Sequence, residues 1–102
     1  MKIDTAYKDG ETKVEVYGAI DSYTYPIFAK EINILTRTGV KNLLIDFSKC
    51  SKINVPTIRL ILRIENEISN SNGVFNVINI GEKETELLSL MKIEVSKNES
   101  QK

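Results

Sequence analysis

The sequence predicts a single-domain α/β fold, in which an N-terminal β-hairpin is followed by alternating helices and strands in a mixed, largely parallel sheet flanked by helices. Three observations support this prediction. The chain has 102 residues, which suits one domain. The dipeptide Asp9-Gly10 separates two alternating segments, as in a tight hairpin turn. Helical and strand-like periods then alternate, which is typical of βαβ units with right-handed crossovers.

The first half of the chain is predicted to contain the hairpin and one helix. The alternating segments 2–7 and 12–17 are the hairpin strands. A helix then begins at Thr24, the expected N-cap, and Gly39 follows its last turn as the C′ residue. Pro26 lies in its first turn. Its apolar residues include Phe28, Ile32 and Leu35.

The second half is predicted to alternate strands and helices. Residues 42–47 form an apolar run without alternation, which is typical of a strand buried on both faces in the middle of a sheet. A polar loop, 48–53, precedes a second helix with Asn54 as its N-cap and apolar periodicity to about Ile68. The later elements are a strand over 74–80, a helix over 82–91 and an optional short edge strand over 92–95.

The folded domain is expected to span 1–95, with residues 96–102 as a polar tail. The first four residues lack the apolar segment of a signal peptide. No apolar run approaches the roughly 18 residues of a membrane helix. We therefore expect a cytoplasmic protein without direct membrane insertion.

The composition argues against most catalytic chemistry. The chain has no His, which removes His-based acid–base catalysis, Ser-His-Asp and Cys-His systems, and the commonest metal ligand. Cys50 is the only cysteine, so neither an intramolecular disulfide nor a Cys-rich metal site can form. Basic and acidic residues both number 14, and no dense cationic patch is present to bind a phosphate backbone. We expect a protein that is not an enzyme, holds no cofactor or metal and binds no nucleic acid.

Two acidic residues, Asp21 and Asp46, stand at the carboxyl ends of predicted strands. Functional loops gather at this end of open α/β sheets. An Asp at such a position also caps or braces its own loop, and this structural interpretation is favoured because no His, Lys or metal-ligand cluster accompanies either residue.

The second helix carries a wide apolar arc, roughly 200° on a helical wheel. A helix on one face of a sheet needs a narrower stripe, so either the edge with Ile58 and Leu62 or the edge with Leu60 is expected to be partly exposed as a partner surface. Coverage of both edges by neighbouring helices is an equally weighted alternative. The start of this helix, at Asn54 and Pro56, is either a site for an anion or acidic group or an ordinary helix start, which is slightly favoured.

Two motifs together resemble the STAS domain, a family that includes bacterial anti-sigma factor antagonists and domains of sulphate transporters. Residues 14–21 match the family's apolar-x-Gly-x-apolar-Asp strand end, and residues 44–48 match its later apolar-Asp-apolar-Ser. The resemblance covers roughly 2–95. It implies the same fold, a role in binding protein partners, a part for Asp21 in shaping the partner surface and a structural role for Asp46.

The sequence departs from the family at its phosphorylation loop. Family members that switch partners carry Asp-Ser-Ser-Gly, and the first Ser is phosphorylated by a kinase-like anti-sigma factor. The aligned residues here are Asn54, Val55, Pro56 and Thr57. Val55 has no hydroxyl, so we expect no phosphorylation at this position. Ser48, Ser51 and Thr57 remain candidate acceptors, and Thr57 is disfavoured because it lies inside the first helical turn.

Two functions follow from these observations. The first is a module that binds a kinase-fold anti-sigma factor through Asp21, the loop 54–57, Ile58 and Leu62, and so regulates transcription. The second is a non-switching scaffold subunit of a larger sensory or membrane-associated complex, which the altered loop favours somewhat. An enzyme or small-ligand binder that uses Asp21 and Asp46 is the least supported, because no base or oxyanion constellation accompanies them.

Overall fold

The protein consists of a mixed sheet and three helices. The computed structural model describes the backbone of residues 1–100 and the side chains of residues 1–92. In chain order the elements are β1 (Lys2–Lys8), β2 (Glu11–Ala19), α1 (Tyr25–Arg37), β3 (Asn42–Asp46), β4 (Cys50–Lys52), α2 (Val55–Asn70), β5 (Val74–Ile78) and α3 (Glu82–Ser100). The strands lie in the order β1-β2-β3-β5, and β4 pairs with the end of β2. Only the β1–β2 pairing is antiparallel, so the predicted fold class is confirmed.

The hairpin turn contains two residues in the left-handed region. Asp9 has φ +54° and Gly10 has φ +81°. They connect Lys8 to Glu11, which are paired in the β1–β2 register. A two-residue turn with two positive φ values matches the twist of the flanking strands, and Gly adopts this conformation without a Cβ clash. The predicted hairpin is confirmed.

The hydrophobic core lies between the helices and one face of the sheet. Residues on this face alternate along each strand, as the period of a β-strand requires. They include Val14, Val16, Leu43 and Ile45. Against them pack Phe28 and Ile32 of α1, Leu60, Ile61, Ile64 and Ile68 of α2, and Leu88 of α3. The three helices therefore share one core with this face of the sheet.

The opposite face of the sheet carries a different set of side chains. We call it the open face, and its residues include Lys13, Glu15, Tyr17, Leu44 and Asn76, all half-buried or exposed. Leu44 is half-buried, so the prediction that β3 is buried on both faces is wrong at this position. A continuous apolar run in the sequence does not distinguish a strand that is packed on both faces from a strand that is packed on one face.

The chain differs from the predicted elements at two places in the sheet. The segment predicted as a polar loop contains the short strand β4, which pairs with β2 across a shift in register between Gly18 and Ala19. Strand β5 ends at Ile78 rather than at residue 80, and the next residue, Asn79, has φ +59°. A left-handed residue turns the chain out of the extended conformation and ends the strand.

The predicted edge strand over 92–95 is wrong, because α3 continues through these residues to Ser100. Residues 82–100 contain neither Gly nor Pro, and adding a residue to an existing helix costs far less than nucleating a new element. The predicted polar tail overlaps the end of this helix, and residues 101–102 lie outside the described part of the chain. Among the described residues, none of the helices combines the length and apolar character needed to span a bilayer.

Candidate functional site

The loops that follow β2 and β4 leave the sheet side by side. These strands are parallel, and Ala19 lies opposite Lys52. The backbone N–H of Ile20 donates to the Lys52 carbonyl oxygen at 2.7 Å. The chain then continues from β2 into the Asp21 loop and from β4 into Asn54. The two loops singled out by the sequence therefore meet at the carboxyl end of the sheet.

Asp21 organises the loop that precedes α1. Its Oδ1 accepts hydrogen bonds from the backbone N–H groups of Tyr23 at 2.9 Å and Thr24 at 3.0 Å. The Thr24 hydroxyl donates to the Ala19 carbonyl oxygen at 2.8 Å and accepts from the Asp21 N–H at 3.0 Å. Thr24 is the N-cap residue of α1 as predicted, but its side chain makes no capping hydrogen bond. Asp21 satisfies the N–H groups of this turn instead.

These contacts lower the pKa of Asp21. The hydrogen bond from the Thr24 N–H is the largest cause, followed by the one from the Tyr23 N–H, and the positive charge of Lys52 adds to them. Each of these interactions favours the carboxylate over the protonated acid. Asp21 is therefore an ionised residue whose Oδ1 is engaged within its own turn.

Asn54 caps α2 as predicted. Its backbone is extended, with φ −89° and ψ 168°, and its Oδ1 accepts from the Thr57 N–H at 3.2 Å. The Thr57 hydroxyl donates to the same oxygen at 2.6 Å. Thr57 is fully buried. A buried hydroxyl that is held by the capping residue fixes the conformation of the first helical turn.

Val55 and Pro56 occupy the outer side of this turn. Val55 is 46 % exposed, and Pro56 is also exposed. Both side chains therefore face solvent beside the Asp21 loop, while Thr57 points inward. The turn thus presents an apolar surface at the position that the resemblance aligns with a phosphorylated serine.

The expected exposure of Ile58 is wrong. Ile58 is 1 % exposed and Leu60 is 4 % exposed, whereas Leu62 is half-buried. Helix α3 packs against α2, and its Leu87 lines the same small cleft as Ile58. The other edge of α2 faces α1, where Arg63 Nη2 donates to Asn33 Oδ1 at 2.6 Å. Neighbouring helices therefore lie against both edges of the wide apolar arc, and Leu62 remains half-buried.

Sequence reasoning missed two exposed apolar side chains at the same end of the sheet. Tyr23 is 87 % exposed and lies in the Asp21 loop, and Ile27 is 59 % exposed in the first turn of α1. Ile27 directly precedes the core residue Phe28, and adjacent residues of a helix point in different directions. This was the only sequence signal for the exposure of Ile27. We call Tyr23, Ile27, Val55 and Pro56 together the loop surface.

Asp46 has the predicted structural role. It is 7 % exposed, and its Oδ1 accepts from the Ser48 N–H and from Asn79 Nδ2, each at 2.9 Å. The Asn79 and Ser48 hydrogen bonds, together with the charge of Lys13, lower the pKa of Asp46. Asp46 and Asp21 share no hydrogen-bond partner, so the two carboxylates do not form a paired site.

The other candidate phosphate acceptors, Ser48 and Ser51, lie with Cys50 in and just before β4. Ser48 and Ser51 are exposed, and Cys50 is half-buried with a thiol pKa raised by burial. A raised pKa leaves the thiol in its less reactive, protonated form. Across the residues that the structure describes, no group of three or more acidic or Cys side chains is arranged to hold a metal ion.

The cleft beside the loop surface is small. It has a volume of about 110 Å³ and lies between the first turns of α2 and α3, with Val55, Lys83 and Leu87 in its lining. Pockets for small organic ligands generally measure several hundred Å³. This cleft is therefore smaller than a typical pocket for a small organic ligand.

Comparison with known proteins identifies the fold. No family model matches the sequence, and no curated protein matches it either. Among solved structures, an anti-sigma factor antagonist from Mycobacterium paratuberculosis aligns with a TM-score of 0.76 at 20 % identity, over 93 % of this chain and 80 % of that chain. The unphosphorylated anti-sigma factor antagonist SpoIIAA aligns with a TM-score of 0.72 at 15 % identity, over 84 % of this chain and 80 % of that chain.

The chain has a STAS-like fold. The phosphorylated form of SpoIIAA, a Bacillus cell fate determinant, also aligns, with a TM-score of 0.71 at 12 % identity over 88 % of this chain and 83 % of that chain. The resemblance found in two short sequence motifs thus extends to the whole STAS-like architecture.

Proposed function

We propose that this STAS-like domain is a non-catalytic cytoplasmic module of the anti-sigma factor antagonist type, which binds a kinase-fold anti-sigma factor and thereby regulates transcription. The observation that carries the proposal is Val55, which is 46 % exposed at the first turn of α2 beside the Asp21 loop. Two aligned solved structures are described as anti-sigma factor antagonists, and this likeness supports a protein partner.

The loop surface provides the contacts in this proposal. Burying apolar area stabilises a complex by roughly 25 cal/mol per Å² before the costs of association, and aromatic side chains such as Tyr23 are enriched at interfaces. Ionised Asp21 lies beside this surface, with its turn held rigid by hydrogen bonds. A preformed loop loses little conformational entropy on binding.

Val55 makes the proposed contact insensitive to phosphorylation at this position. A phosphate would add about two negative charges and disrupt an apolar interface by repulsion and desolvation. SpoIIAA has both unphosphorylated and phosphorylated forms, whereas Val55 offers no hydroxyl to a kinase. Thr57 is also protected in this proposal, because its hydroxyl is buried against Asn54.

The test is a pull-down of the tagged protein from its own cells, with identification of the captured protein by mass spectrometry. A Val55→Asp variant places a carboxylate where the family's phosphate would be, and we expect it to lose the partner. Tyr7→Asp is the matched control, since Tyr7 is 76 % exposed but lies far from the loop surface. Tyr7 pairs with Thr12, and the length of β2 from Thr12 to Ala19 is about 23 Å.

Two outcomes decide the proposal. Recovery of a kinase-fold protein by the wild type and by Tyr7→Asp, but not by Val55→Asp, would support it. Equal recovery by all three forms would contradict a role for the loop surface. Intact-mass analysis that finds a stoichiometric phosphate on Thr57 would contradict the claim that this turn lacks phosphorylation.

A scaffold role is the second candidate, and an observation on α1 favours it. Ile27 and Ile34 are 59 % and 42 % exposed and stand seven residues apart, so both lie on one side of the helix. In this role the side of α1 with the two exposed isoleucines contacts a further subunit, and Ile27 takes part in that contact instead of in the loop surface. In this case the wild type and Val55→Asp would both recover a large sensory or membrane-associated complex in the pull-down.

A further inference from the structure

The strands at the two ends of the order β1-β2-β3-β5 differ in their charged side chains. β1 forms one edge and carries Lys2, Asp4 and Lys8, all exposed. Charged side chains on an edge strand discourage pairing with another chain. β5 forms the other edge, and residues 73–81 contain no charged residue and no Pro. β5 is therefore an edge strand that carries neither charged residues nor Pro.

The backbone of β5 has free hydrogen-bonding groups in an ordered row. The N–H of Val74 donates to the Lys41 carbonyl oxygen at 2.6 Å, and the Ile78 carbonyl oxygen accepts from the Phe47 N–H at 3.0 Å. These groups point toward β3, and alternate residues of a strand point their backbone groups the same way. Phe75 and Val77 consequently direct their N–H and C=O groups outward, away from the sheet.

The pattern of exposed and half-buried side chains along β5 is symmetric about Asn76. Val74 and Ile78 are 55 % and 39 % exposed on the open face, with exposed Asn76 midway between them. In an antiparallel pair centred on Asn76, Val74 would lie opposite Ile78 of a second copy, and the two Asn76 amides would face each other. Phe75 would lie opposite Val77 of the second copy on the other face. Each apolar residue would therefore meet an apolar residue, as stable cross-strand pairs require.

We propose that β5 pairs antiparallel with β5 of a second copy, across a two-fold axis at Asn76, so that the two sheets become one. Phe75 and Val77 each exchange two backbone hydrogen bonds with their counterparts, and Val74 and Ile78 lose their exposed apolar area. The pairing is isologous and closes at two subunits. Five residues from each protomer bury less area than a standard interface, so the dimer is expected to depend on concentration.

The first test is sedimentation velocity from micromolar to millimolar protein. The wild type is expected to shift from monomer to dimer over this range, and Asn76→Lys, which sets two ammonium groups face to face, is expected to weaken dimerisation at least tenfold. Asn66→Lys is the matched control, because Asn66 is an exposed asparagine on α2 and does not belong to β5. An equal mixture of Asn76→Lys and Asn76→Glu is expected to dimerise again, which a misfolded variant would not do.

A disulfide trap tests the register. Facing residues in a non-hydrogen-bonded antiparallel pair have Cα atoms about 4.5 Å apart, within the range for a disulfide. In a Cys50→Ala background, Asn76→Cys is expected to give a covalent dimer on mild oxidation, and Asn66→Cys is not. The proposal would be overturned if the wild type stays monomeric at millimolar concentration or if Asn76→Lys dimerises normally. It would also be overturned if the mixture of Asn76→Lys and Asn76→Glu stays monomeric or if Asn76→Cys forms no disulfide.

Discussion

At the residue scale, Asp46 joins the ends of two parallel strands. Its carboxylate binds the Ser48 N–H and the Asn79 side chain, which follow β3 and β5 respectively. Asp46→Ala removes the acceptor and leaves these donors unpaired, so we expect the free energy of unfolding to fall by about 1–3 kcal/mol. Urea denaturation followed by circular dichroism measures this change. Asp4→Asn, on the exposed edge strand, is the control and is expected to change little.

The same carboxylate predicts an acid dependence of stability. The folded-state pKa of Asp46 lies below its ordinary value of 3.8, so the unfolded chain binds this proton more tightly than the folded one. Its contribution is therefore present above about pH 4 and is lost as the pH falls through the folded-state pKa. We expect Asp46→Asn to reduce the loss of stability between pH 5 and pH 2, relative to the wild type. An unchanged acid profile would contradict this assignment.

Asn54 gives a second prediction at this scale. Asn54→Ala removes the acceptor for both the Thr57 N–H and the buried Thr57 hydroxyl, and we expect a loss of about 1–3 kcal/mol in unfolding free energy. Asn54→Asp keeps an acceptor and places a negative charge at the start of α2, so its stability is expected to match or slightly exceed that of the wild type. Thermal unfolding of both variants measures the difference. Equal destabilisation by Ala and Asp would contradict the capping geometry.

At the scale of elements, α2 belongs to the core along almost its whole inner side. Ile58→Ala removes a side chain that is 1 % exposed, and we expect a loss of about 2–5 kcal/mol. Leu62→Ala is the matched comparison, because Leu62 is half-buried and its truncation should cost clearly less. Urea denaturation of both variants tests the order. The reverse order would mean that Ile58, not Leu62, is the less buried of the two side chains.

Local signals in the sequence predicted the elements that local chemistry determines. The Asp9-Gly10 turn and the Asn54 cap depend on neighbouring residues, and both were correct. Strand β4 was missed because its three residues acquire their conformation from pairing with β2, which no short pattern encodes. The exposure of Ile58 was wrong because a helical wheel cannot show that Leu87 of α3 lies nearby.

At the scale of the whole molecule, the loop surface and the β5 edge are separate. The loop surface lies at the carboxyl end of β2 and β4. Among the strands that the structure describes, β5 pairs with β3 alone and forms the lateral edge. Distant sites without shared contacts contribute independently. We therefore expect Val55→Asp to leave self-association unchanged and Asn76→Lys to leave partner capture unchanged. Sedimentation velocity and the pull-down test these expectations, and a variant that affects both readouts would show that the sites are coupled.

The measurement that tests the central claim most directly is backbone hydrogen exchange of the captured complex compared with the free protein. If the loop surface binds the partner, exchange slows at residues 21–27 and 53–58 and stays unchanged at the hairpin turn near Asp9. Slowed exchange at the hairpin turn or along β1, with no change at residues 21–27 and 53–58, would contradict the account.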